Sequence, residues 1–154
     1  MTGLLLLLLV AGSMPADIHV DARDHPRPGE GEAAFAAMER ALVRGFDDIC
    51  GDTFCEGDYG NLRALQLRCA VTRNTGAVAE CLWSFAGSYA WVNERDALPS
   101  VDSRTWACRL PVVPGTRLSV LLPLLSGPGA LDTALPCSDP ITCPSTYDAL
   151  TDCL

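Results

Sequence analysis

The chain has 154 residues and a formal charge of −8, with nineteen carboxylates against eleven basic side chains. That length suits one domain with a core of its own. An acidic surface is repelled by phosphate backbones and by anionic lipid, which argues against nucleic-acid and membrane-surface partners. All the basic side chains are arginine, and nothing clusters them.

Leu4 to Val10 is an unbroken apolar run, followed by Ala11, Gly12 and Ser13 and then by Pro15 and Ala16. This is the shape of a secretory core and cleavage zone, and it is too short to span a bilayer. No Lys or Arg precedes the run, so the amino terminus supplies the only positive charge of the leader. We expect a signal peptide over residues 1–16, a secreted or periplasmic location, and no membrane insertion after cleavage. In such a compartment cysteines are held as disulfides.

Residues 17–31 are rich in Pro, Gly and charge and have little to bury, which predicts a flexible tail. Cleavage after Ala16 would expose Asp17-Ile18-His19. A free amine with His in third place can wrap Cu²⁺ in a square plane of nitrogens; the competing reading is an unstructured tail without metal.

From Glu32 the pattern changes, and residues 32–154 are expected to form a single disulfide-rich α+β domain. Phe35, Met38, Leu42, Phe46 and Ile49 recur at spacings of three and four, the signature of a helix with one apolar face. Residues 62–86 then alternate with period two about Asn74-Thr75-Gly76, a three-residue hairpin turn. Folding about Thr75 sets Val71 against Ala79, Cys69 against Cys81, Leu67 against Trp83 and Leu65 against Phe85. The apolar faces coincide, and two cysteines fall opposite one another.

A third strand is expected over residues 103–113, with Trp106, Cys108 and Leu110 on one face and a rim from Asn93 to Ser103 before it. Thr116 would cap a short helix bearing Leu118, Leu121, Leu122 and Leu125, with a kink at Pro123. Ser145 and Asp148 have capping-box spacing for a last short helix. The predicted fold is therefore α+β: a helix, an antiparallel meander built on the 62–86 hairpin, and short C-terminal helices.

The cysteines supply the staples. With Cys69 facing Cys81, the pairs Cys50–Cys55 and Cys137–Cys143 are near enough in sequence to close small loops. Cys108 is then left for Cys153. A crossed arrangement, in which Cys50 or Cys55 takes Cys108 or Cys153, is the alternative. Zinc at Cys50 and Cys55 is disfavoured by their spacing and by the lack of a second pair or a nearby histidine.

Chemistry is harder to find. Asp47, Asp48, Asp52, Glu56 and Asp58 lie together with no basic residue among them, and such a loop could bind Ca²⁺ through Asp52, Glu56 and Asp58. The EF-hand template does not fit: with Gly57 as the loop glycine, Phe54 takes a ligand position and Arg63 stands where the bidentate Glu belongs. Glu56 as acid, with Asp52 or Asp58 as partner, would suit glycoside hydrolysis. His19 and His25 both lie in the expected tail, so Ser-His and Cys-His catalysis has no base in the domain. Nucleophile-elbow, P-loop and dinucleotide motifs are missing from the sequence. Trp83 and Trp106 share parity with core cysteines, whereas Tyr89 and Trp91 follow Gly87-Ser88 and could anchor a protein or glycan partner.

The segment Cys50-Gly-Asp-Thr-Phe-Cys-Glu-Gly-Asp-Tyr59, followed by Asn61-Leu62, the strand ending at Cys69, and Cys81-Leu-Trp-Ser-Phe85, resembles a group of uncharacterised secreted bacterial cysteine-rich proteins. The likeness implies an exported bacterial setting and carries no activity. The expected function is a non-enzymatic binding or interaction module working through residues 52–61 and the Tyr89/Trp91 region. The alternative is a small carboxylate-dependent glycoside hydrolase.

Overall fold

The computed structural model describes residues 18–139 and 142–154, so the expected leader and Asp17 lie outside the described residues. The elements in chain order are β1 (His19–Asp21), a 3-10 turn (Ala22–Asp24), α1 (Glu32–Cys50), β2 (Arg63–Thr72), β3 (Val78–Val92), β4 (Pro99–Arg109), α2 (Leu118–Leu124) and α3 (Thr146–Cys153). The four strands form one antiparallel sheet in the order β1-β2-β3-β4. This is a disulfide-stapled α+β fold.

The apolar stripe of α1 makes the first half of the core. Phe35, Met38, Leu42 and Phe46 are fully buried, as are Leu67, Val71, Trp83 and Phe85 on the inner face of the sheet. Phe46 is the hub, with ring centroids 6.1 Å from Trp83 and 5.1 Å from Phe85. Leu121, Leu125, Leu131, Leu135 and Leu150 close the core from the C-terminal half. Each such side chain contributes on the order of 2 kcal/mol by burial. The capping box of α3 is formed, with Ser145 and Asp148 exchanging side-chain and backbone bonds.

All four disulfides follow the uncrossed arrangement: Cys50–Cys55, Cys69–Cys81, and Cys137–Cys143 nested within Cys108–Cys153. The small loops close locally, while Cys108–Cys153 fastens α3 to β4.

Several expectations are corrected. The segment expected as a flexible tail instead supplies β1 and the 3-10 turn. Val20 pairs with Val71 across the sheet, and Ala22 is fully buried. Ion pairs hold this segment where hydropathy would not. Asp21 meets Arg68 at 2.8 Å, and Arg23 bridges Glu32 and Glu39 while lying over the Phe35 ring. Glu39 in turn accepts the Leu67 backbone N–H at 2.9 Å, so one carboxylate ties segment, helix and sheet together.

The hairpin register holds from Leu67–Trp83 to Ala70–Glu80 and slips at both ends. Irregularities between Ala64 and Leu67 and between Ala70 and Val71 set Phe85 against Ala64 and Val71 against Val78. Leu65 and Ala79, both expected inside, are consequently exposed. A bulge inserts an extra residue and reverses the alternation beyond it. The third strand is Pro99–Arg109 rather than 103–113, and Arg117 rather than Thr116 precedes α2. The Thr116 hydroxyl donates back to the Val113 carbonyl instead. α2 ends one residue beyond Pro123.

Gly31 tests the docking of the N-terminal segment. A Cβ there would lie 2.4 Å from the Ala22 carbonyl oxygen and 2.7 Å from that of His25. These are backbone atoms that cannot swing aside. Gly31→Ala should therefore destabilise the protein by about 1–3 kcal/mol, the usual cost of overpacking. Proteolysis within residues 18–31 should accelerate in parallel. A variant as stable and as resistant as the parent would show that this segment is not docked.

Candidate functional site

On β3 the inward parity runs through Cys81, Trp83, Phe85 and Gly87, all buried, and continues to Tyr89 and Trp91. These last two are 40% and 41% exposed. Their rings stack at 5.4 Å with planes 18° apart. They stand on a continuous strand, because β3 and β4 stay paired as far as Val92–Pro99.

The tip of this arm is a short, well-bonded turn. Asn93 donates its backbone N–H to the Leu98 carbonyl at 2.9 Å and accepts from Ala97 at 2.8 Å. The side chains of Asn93 and Asp96 accept the amides of Arg95 and Leu98. Such Asx bonding is why polar residues occupy a turn of this kind. The other face of the tip is apolar as well, with Val92 and Val101 each 63% exposed. Tyr89, Trp91, Val92, Asn93, Glu94 and Arg95 line an open recess there.

The acidic loop reaches the same face. Cys50–Cys55 closes its start, Cys55 N–H donates to the Cys50 carbonyl at 2.7 Å, and Phe54 stacks on Phe46 at 5.7 Å. Its far end is fastened to the arm. Asn61 donates to Ser88 Oγ at 2.7 Å and accepts the Ser88 backbone N–H at 2.6 Å. The Tyr59 hydroxyl donates to Asp102, and its ring stands edge-on to Trp106 at 5.3 Å with the Arg104 guanidinium 5.1 Å from its centroid. Gly87 makes the approach possible, since a Cβ there would meet Leu62 and Tyr59 at 3.3 Å. Asp102 lies directly across from Tyr89 in the β3–β4 ladder. The structure thus brings the loop's end and the aromatic pair onto one face.

The hydrogen bond shifts both partners. Bonding to Asp102 raises the Tyr59 phenol above its ordinary 10.0. Accepting from Tyr59 lowers the Asp102 carboxyl below its ordinary 3.8, with help from Arg104. The lowered carboxyl steadies the loop above its ordinary value and loses that effect as pH falls through the folded-state value. The raised phenol contributes below 10.0 and is lost as pH climbs through its own folded-state value. Tyr59→Phe should move the Asp102 pKa upward, toward 3.8, in a carbon-detected NMR titration. An unmoved Asp102 would mean that the bond does not form in solution.

The carboxylates singled out in the sequence do not converge. Asp52, Glu56 and Asp58 are all exposed. Among the described residues, no three His, Cys, Asp or Glu side chains gather into a group that could hold a metal ion. His19 begins β1, and the carbonyl of its neighbour Ile18 accepts the Arg73 backbone N–H at 2.8 Å. Tyr59, Asn61, Asp102 and Arg104 carry the site's geometry; the sequence reading included Tyr59 and Asn61 only as part of the 52–61 loop and did not name Asp102 or Arg104. The one available signal was register: once β3 and β4 are aligned, Asp102 stands opposite Tyr89.

No known protein family, curated protein or solved structure matches the chain. The four disulfides suit a small stabilised domain in a non-cytoplasmic setting. No helix among the described residues is long and apolar enough to cross a membrane.

Proposed function

We propose that the protein is an exported, non-enzymatic binding module whose contact face is the Tyr89/Trp91 stack and the end of the 52–61 loop beside it. One observation carries this reading: two large aromatic rings stand exposed on a strand whose turn and flank are fixed by side-chain hydrogen bonds. Rigid aromatics lose little conformational freedom on binding and fill apolar pockets in partner proteins or stack on sugar rings. Asp102, Asn93 and Arg95 offer polar rim contacts. The resemblance of the Cys50–Tyr59 segment to secreted bacterial proteins supports the same setting.

The glycoside-hydrolase alternative draws on Asp52, Glu56 and Asp58. A general acid at neutral pH needs a carboxyl whose pKa is raised by burial, and these three are exposed. Converting all three to amides separates the readings. A binder releases no reducing sugar from oligosaccharides before or after the change, although its affinity or Ca²⁺ dependence can alter. Turnover by the parent, lost in a folded triple variant, would establish the hydrolase and remove the proposal.

A further inference from the structure

β4 is the outer strand of the sheet, so one of its backbone edges is available for another chain. The edge can be mapped. Antiparallel ladders alternate hydrogen-bonded and non-hydrogen-bonded pairs. Both Cys81–Leu110 and Asn93–Leu98 are bonded pairs, from Leu110 N–H to the Cys81 carbonyl at 3.0 Å and from Asn93 N–H to the Leu98 carbonyl at 2.9 Å. The register between them is unbroken. Ser100, Asp102, Arg104 and Trp106 therefore turn their backbone groups toward β3. Val101, Ser103, Thr105 and Ala107 turn theirs outward. No further strand among the described residues pairs with β4 on that side.

Such edges are usually blunted by lysines, bulges or inward charges. This one has Pro99 at its end and two charges, Asp102 and Arg104, on the inward face, but no lysine and no bulge in its 11-residue pairing with β3. The charges on it are Asp102, Arg104 and Arg109, so the edge is locally basic in a chain of charge −8. Asp102 and Arg104 remain 45% and 62% exposed at their side chains.

We infer that β4 pairs with β4 of a second copy, antiparallel about a two-fold axis through Ser103. Self-complementarity selects this register. It sets Ser103 against its own symmetry mate and Val101 against Thr105 of the other copy, each bonded through outward groups. Asp102 then faces Arg104 of the other copy, twice, as non-bonded pairs in which side chains approach most closely. Sliding one copy by two residues in either sense brings Asp102 against Asp102 or Arg104 against Arg104. The exposed Val101 side chain gains cover from Thr105 of the other copy. The sheet runs through both copies, with both Tyr89/Trp91 stacks on the same side of it.

Sedimentation of the oxidised protein across a micromolar range tests the pairing. The parent should be a reversible dimer. Asp102→Arg alone and Arg104→Asp alone should each weaken it by about tenfold or more, because each juxtaposes like charges. The double swap should restore it, which loss of the Tyr59–Asp102 bond alone would not allow. Thr105→Pro removes an outward N–H that the monomer does not use and should leave a folded monomer by circular dichroism. A monomeric parent at 100 µM, roughly the upper end of that range, would overturn the inference. A dimer indifferent to these changes, or a double swap that fails to rescue, would do the same.

Discussion

Replacing Cys108 and Cys153 together by serine is expected to lower the unfolding free energy by about 4 kcal/mol, the loop-closure value for a bridge spanning 45 residues. The midpoint of thermal unfolding should fall by roughly 10–15 °C. Physically, the bridge restricts the unfolded chain from the end of β4 through α2 to the end of α3. Opening Cys137–Cys143, a separation of 6, should cost only about 2 kcal/mol by the same relation. The contrast between the two is the useful quantity. Calorimetry showing equal losses would mean that local packing, and not chain restriction, sets the contribution of each bridge. Cys108 is fully buried, so its serine adds an unpartnered hydroxyl and pushes its variant further in the expected direction.

Trp83 should produce a loss of comparable size. It is fully buried, stands across from Leu67 on one side and Cys108 on the other, and packs against Phe46 and Phe85. Trp83→Ala leaves a large cavity at the centre of the sheet, with an expected cost of about 3–5 kcal/mol. Trp83→Phe should be far milder. The indole N–H of Trp83 is buried without an acceptor among the described residues, and an orphaned donor costs about 1–3 kcal/mol. Removing it offsets much of the lost volume. Urea unfolding of the two variants decides the matter: a phenylalanine variant as unstable as the alanine variant would show that the indole is bonded in solution.

Much of the fold was legible because its signals were local or mutually reinforcing. The α1 stripe has helical spacing, and the centre of the β2–β3 hairpin was fixed twice over, by apolar parity and by Cys69 facing Cys81. Once that pair is set, proximity suggests Cys50–Cys55 and Cys137–Cys143 with Cys108 left for Cys153, but the sequence left the crossed pairing open and the structure chose between them. β1 escaped notice because it has three residues and one apolar member, Val20. Its docking comes from Arg23, which must meet Glu32 and Glu39 after α1 has formed, and no periodicity records that. The bulges beside Leu65 and Val71 likewise come from how strands bend over the core, so strict alternation misplaced Leu65 and Ala79.

Tyr89 and Trp91 were singled out as candidate anchors, with packing against the core as the competing reading, and nothing in the sequence pointed to their support. Tyr59 and Asp102 lie 43 residues apart and meet only when the loop folds over Gly87. The acidic residues drew attention by composition, but Asp52, Glu56 and Asp58 point into solvent separately, whereas neighbouring Tyr59 and Asn61 form the contacts. In this chain the loop's charge was the conspicuous feature and its two polar anchors were the structural one.

The most direct test of the proposed function is an array of oligosaccharides and immobilised extracellular peptides, probed in parallel by the parent and by the Tyr89→Ala/Trp91→Ala variant. Both rings are substantially exposed, so the variant should keep its unfolding midpoint. The account predicts ligands that the parent retains without chemical change and that the variant loses by about thirtyfold or more, the effect of removing a central aromatic anchor. Equal binding by parent and variant, or cleavage of the retained ligand, would contradict it.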